Sequence, residues 1–62
     1  MNKESIGAIV KILQRLKSAT ISGNSQSLKN IAKSALDNAS VFQDKNSLSV
    51  AVIAYAIVKL IE

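Results

Sequence analysis

Apolar side chains return along the first third of the chain at Ile6, Ile9, Val10, Leu13 and Leu16, with Ile12 at the edge of the stripe. That is the i, i+3, i+4, i+7 spacing of one face of an α-helix. Lys3, Lys11, Gln14, Arg15 and Ser18 fall on the opposite side. The period comes back in Leu28, Ile31, Ala32, Ala35, Leu36, Ala39 and Phe42, with Lys29, Lys33 and Asp37 on another face. Both segments read as amphipathic helices with one wet side.

Two interruptions separate the periodic segments. Gly23 lies in "TISGNSQS", where a left-handed residue can close one helix and a polar side chain can open the next. In "QDKN", residues 43–46, Asp44 or Asn46 can accept from the free N–H groups of the helix that follows. At the start of the chain Asn2 is placed to cap, Glu4 sits in the positive first turn, and Met1 and Ile6 have the spacing of a hydrophobic staple. With no proline to break it further, the pattern predicts an all-α three-helix bundle with helices over 3–21, 25–42 and 47–62.

The last helix departs from the first two. A step of 100° per residue puts Val50, Ile53, Ile57, Leu60 and Ile61 on one side and Leu48, Ala51, Val52, Tyr55 and Val58 on the other. Its many β-branched residues also suit a strand, but the segment is too long and unbroken for one and follows two clearly helical stretches. A bundle covers one face of each member, so the surplus face must meet something else. Leu48, Ala51, Val52, Tyr55 and Val58 are therefore the expected interaction face, with Ala51 and Ala54 permitting close approach. The expected occupant is a second copy in a homo-oligomer, a partner helix, or a downstream domain of a longer parent chain. Glu62 follows Leu60 and Ile61 with no capping glycine, as in the N-terminal part of such a chain.

The whole chain is 62 residues, room for one module with a small core. It has no cysteine or histidine, so disulfides, thiolate metal sites and a neutral-pH imidazole base are all excluded. Catalysis is not expected: Glu4, Asp37, Asp44 and Glu62 are scattered, and Asp37 sits one turn from Lys33 where an exposed ion pair suffices. No metal or cofactor is expected either. "DKN" opens like a calcium loop, but Ser49 stands where the loop needs glycine and Tyr55 where it needs glutamate. Gly7 and Gly23 are too isolated to make a phosphate loop, and "NAS" at Asn38 falls within a helix.

A net charge of +4 favours anionic partners. Lys11 with Arg15 and Lys29 with Lys33 are candidate anion contacts, each an i, i+4 basic pair. They make a small basic nucleic-acid-binding module the third reading: the third helix offers only Ser49 and Lys59 toward base edges, and the second is a possible reader but has no arginine, its exposed residues being mainly Lys, Asn and Ser. A cationic, bacteriocin-like membrane-active peptide ranks second. Against it, there is no tryptophan for the interface, and the apolar run from Leu48 to Val58 is shorter than the roughly twenty residues needed to cross a bilayer. Lys11 and Arg15 also interrupt the first apolar stretch before it could serve as a signal peptide, so a cytoplasmic location is expected. Residues 31–60, with Ala35, Ala39, Phe42, Ala51 and Tyr55, resemble a tetratricopeptide-like helical hairpin in packing style. The tryptophan, glycine and proline positions of that repeat and its period of about 34 residues are missing, so no functional residue is carried over. The leading expectation is a non-enzymatic helical interaction and oligomerisation module.

Overall fold

The computed structural model describes residues 3–62. Among them the chain forms α1 (Lys3–Ser22), α2 (Ser25–Phe42) and α3 (Lys45–Ile61), an all-α three-helix bundle. The expected cap at Asn2 and the staple partner Met1 lie outside the described residues.

Local chemistry explains each boundary. Gly23 takes φ +69°, the left-handed conformation that costs glycine nothing, and its N–H donates to the Thr20 carbonyl at 3.2 Å. Asn24 then opens α2, its Oδ1 accepting from the Ser27 N–H at 3.0 Å. Asp44 rather than Asn46 caps α3: its Oδ1 accepts from the Ser47 N–H at 2.7 Å. The helix therefore begins at Lys45, two residues earlier than expected. At the end of α2, Gln43 adopts φ 53°, ψ 37° and donates its N–H to the Ala39 carbonyl at 2.9 Å. A side chain in that region costs about 1–2 kcal/mol, which nothing in the sequence announced.

Two short turns make neighbouring helices antiparallel and leave α1 parallel to α3. The bundle measures 32 × 16 × 13 Å, close to the length of one twenty-residue helix at about 1.5 Å per residue. Its core joins Ile12, Leu16 and Ala19 of α1, Leu28, Ala32 and Ala35 of α2, and Val50, Ala51, Ala54 and Val58 of α3. Ile9, Ile31 and Ile57 pack partly buried against it.

The face that α1 buries is rotated from the expected stripe. Ile12, placed at the stripe's edge, is central, whereas Ile6, Val10 and Leu13 are each more than two-fifths exposed. Small residues set this rotation: Ser5 and Ala19 are buried on the same side as Ile12 and Leu16, and a stripe drawn through large aliphatics alone misses them. Leu36, expected on the buried face of α2, is likewise exposed.

The core makes opposite demands at neighbouring sites. Leu28→Ala should cost about 2–5 kcal/mol, because Leu28 is fully enclosed. Ala32→Leu should cost about 1–3 kcal/mol by overpacking, since Ala32 has no exposed surface to grow into. Leu13→Ala should cost about 1 kcal/mol or less. Urea titration followed by circular dichroism checks all three; a Leu13 variant as unstable as the Leu28 variant would contradict the rotated face.

Candidate interaction surface

The outer side of α3 is apolar almost throughout. Leu48, Val52, Ile53, Tyr55, Leu60 and Ile61 are all exposed, interrupted by Ser49 and Lys59. The groove linings divide this surface into two flanks. Tyr55, Val58, Lys59 and Glu62 line a groove with Gln26, Lys29, Asn30 and Lys33, and Leu48 lines another with Leu36 and Ser40, so that flank faces α2. Helical phase then puts Ile53, Ile57, Leu60 and Ile61 on the flank facing α1. On α1 itself Gly7, Ala8, Lys11 and Arg15 line a groove with Ser34 and Asn38 of α2, which leaves Ile6, Ile9, Val10 and Leu13 toward α3. The α1/α3 side is thus an apolar furrow: Ile9 and Ile57 are partly buried at its base, and Ile6, Val10 and Leu13 of α1 and Ile53, Leu60 and Ile61 of α3 are exposed along it.

The expected interaction face is divided by this arrangement. Leu48, Val52 and Tyr55 are exposed on the α2 flank, but Ala51 and Val58 are only 2% and 6% exposed and belong to the core. The buried sector of α3 runs between the two apolar sides identified in the sequence, taking Val50 from one and Ala51 and Val58 from the other. Ala54 is buried as well, so its small side chain serves contact inside the bundle. Ile6, Val10 and Leu13 of α1 add exposed apolar surface that the expected face does not include, because the stripe of large residues points to them as core.

The candidate anion contacts are also separated. Lys11 and Arg15 line the α1/α2 groove with Glu4, whereas Lys29 and Lys33 line the α2/α3 groove with Tyr55. No single channel joins the four, which is unlike a groove that tracks a phosphate backbone. Lys29 Nζ lies 3.2 Å from Glu62 Oε1, and Lys59 Nζ lies 3.8 Å from Glu62 Oε2. Among the described residues, no group of acidic side chains could hold a metal ion, and no helix is long and apolar enough to cross a membrane.

Among the described residues, a buried polar cluster joins the N-terminal ends of α1 and α3. Ser5 Oγ donates to Asp44 Oδ2 at 2.6 Å and lies 3.3 Å from Ser47 Oγ, with Ser5 and Ser47 almost fully buried. A serine beside a carboxylate invites a catalytic reading, but Ser5 is too enclosed to meet a substrate and the chain has no histidine to act as its base. The cluster is a tie between helices. The Ser5 hydroxyl, and next the Ser47 backbone N–H, favour the charged form of Asp44 and hold its carboxyl below the ordinary value.

No protein-family model, curated protein or solved structure matches the chain at a significant level.

The Asp44 tie has a pH signature with a definite sign. A carboxyl held low in the folded state contributes stability above its unfolded pKa of about 3.9, and that contribution is lost as pH falls through the folded value. Thermal melts between pH 7 and pH 2 should show a steeper acid loss for the native chain than for Asp44→Asn, which keeps a capping oxygen but cannot titrate. Ser5→Ala should lower the melting temperature at neutral pH and also reduce the acid sensitivity. Identical acid limbs in all three proteins would contradict the tie.

Proposed function

We propose that this chain is a non-enzymatic helix-association module that works through the outer surface of α3. The observation that carries the reading is an inversion of size. The core contains Ala19, Ala32, Ala35, Ala51 and Ala54, while Ile6, Val10, Leu13, Ile53, Leu60 and Ile61 remain 37–85% exposed along one side. Contiguous apolar surface of that kind on a small protein marks a site of association.

Magnitude decides whether the furrow could hold a partner. The exposed parts of those six side chains amount to about three whole aliphatic side chains, each contributing roughly 1.5–3 kcal/mol on full burial. One covered furrow therefore contributes on the order of 5–9 kcal/mol. Two copies that cover each other's furrows contribute about twice as much, comparable with or above the roughly 4–15 kcal/mol cost of association. A second copy placed with its α1/α3 side against this one makes a four-helix layer, a common solution for amphipathic pairs.

Sedimentation at tens of micromolar should then find a dimer or larger assembly. Val10→Lys combined with Ile53→Lys should shift it to monomer with helical circular dichroism retained, because both positions already touch solvent in the isolated bundle. Val52→Lys on the other flank should leave the assembly intact. A native chain that is monomeric throughout this range would remove self-association through the furrow. Leakage of anionic vesicles at low micromolar concentration would instead favour membrane activity.

A further inference from the structure

The α2/α3 flank differs from the furrow in chemistry, because apolar and cationic groups are segregated along its length. Toward the start of α3 lie Leu36 and Leu48, in a groove whose charged residues are Asp44 and Lys45, one of each sign. Toward the end of α3, Lys29, Lys33 and Lys59 surround Tyr55, and the one carboxylate there is Glu62. Glu62 sits between Lys29 and Lys59, at 3.2 and 3.8 Å, so a carboxylate already occupies the place where two of the lysines converge. Lys33 makes no ion pair among the described residues, not even with Asp37 one turn on, where the sequence predicts one. The row Leu48, Val52, Tyr55, Lys59 runs beside Lys29, Lys33 and Leu36, with about 16 Å from its first position to its last, or three helical turns.

We propose that this flank docks an acidic amphipathic helix, whose apolar half rests on Leu36, Leu48 and Val52 and whose carboxylates reach Lys29, Lys33 and Lys59. The inference rests on the reading of α3 as an association helix and names the partner chemistry of its second flank. Charge complementarity decides the occupant. A second copy would set its lysines either against these three, where like charges oppose docking, or, turned end for end, against Leu36 and Leu48, where neither end meets its complement. A nucleic-acid strand would satisfy the lysines but has no use for Leu36, Leu48 and Val52 at the other end. A bilayer is laterally uniform, and a membrane-seated face carries its lysines around the apolar surface, not gathered at one end of it. A helix with an apolar half and an acidic half fits both ends at once, in the helix-in-groove manner.

The test uses the native chain and a fluorescent synthetic helix of about sixteen residues, with leucines at i, i+3, i+4 and i+7 in one half and glutamates in the other. Its controls are the same peptide with glutamine for glutamate, phosphatidylglycerol vesicles, and a single-stranded oligonucleotide. The glutamate peptide should bind at least about tenfold tighter than the glutamine peptide at about 50 mM salt, with the advantage shrinking near 500 mM. Lys29→Gln with Lys33→Gln should abolish that advantage, and Leu48→Ser with Val52→Ser should weaken both peptides while circular dichroism stays unchanged. Glu62→Gln should tighten the glutamate peptide by about two- to fivefold, by removing the carboxylate that competes for Lys29 and Lys59. Equal binding of the two peptides would overturn the acidic-partner inference while leaving the association reading standing. No binding of either peptide, with self-association through the furrow intact, would overturn the docking site alone. Preferential capture of vesicles or oligonucleotide would overturn it in favour of those ligands.

Discussion

The alanine seam between α2 and α3 constrains everything outside it. Ala32, Ala35, Ala51 and Ala54 have almost no exposed surface, and these two helices make the most extensive contact in the bundle. Alanine at a helix contact allows axes to approach toward the lower end of the usual range of about 8–10 Å. Ala51 and Ala54 take much of the buried sector of α3, and its larger Leu48, Val52 and Ile53 fall on the flanks. The bundle gains tight contact and low side-chain entropy cost from alanine, but little apolar volume. A 62-residue chain has few other ways to make up the difference, because it lacks disulfides and metal-binding cysteines or histidines.

α1 meets α3 under a different constraint. The two helices are not consecutive, so no short turn sets their register, and their contact is the least extensive of the three. The Ser5 hydroxyl supplies a fixed point, bonded to the residue that caps α3. Asp44 thereby acts at two levels, satisfying an N–H at the start of its own helix and fixing the first turn of α1 against it. With Ser5 level with Ser47, the parallel pair sets Ile53 at the height of Val10 and leaves Leu60 and Ile61 more than a turn beyond Leu13, so a polar contact at one end helps to set the register of an apolar surface some turns away.

Helix number, order and approximate limits were legible because glycine and Asx residues mark both turns and the apolar period is strong in the first two helices. The cap at Asp44 was legible as one of two choices; the left-handed Gln43 was not, since glutamine has no special claim on that conformation. Facing proved harder than existence. In α1 half of the buried residues, Ser5 and Ala19, have a size that gives them little hydrophobic weight, so the stripe of large residues points off to one side. In α3 apolar residues surround the axis, and a periodic pattern that is filled all round carries no direction. Only the alanine contacts with α2 select which sector is buried, and those depend on a partner helix that no local window contains.

The same indeterminacy explains the candidate surface. Leu48, Val52 and Tyr55 were found because they are apolar on a helix with too many apolar faces, while Ala51 and Val58 shared their phase and went inside. The basic pairs were equally visible as pairs, but their meeting with other residues depends on how α2 lies between its neighbours. α2 turns Lys29 and Lys33 toward Tyr55 and Ser34 and Asn38 toward Lys11 and Arg15, so the two pairs take different surroundings. One pair lies in a groove with Tyr55, Lys59 and Glu62, on the flank that continues to Leu36 and Leu48, and the other in a groove with Gly7, Ala8 and Glu4. A lysine beside water gains little from any single carboxylate, whereas one beside an apolar contact gains more once a partner excludes the solvent. The apolar half of the α2/α3 flank therefore sets how much its cationic half can contribute.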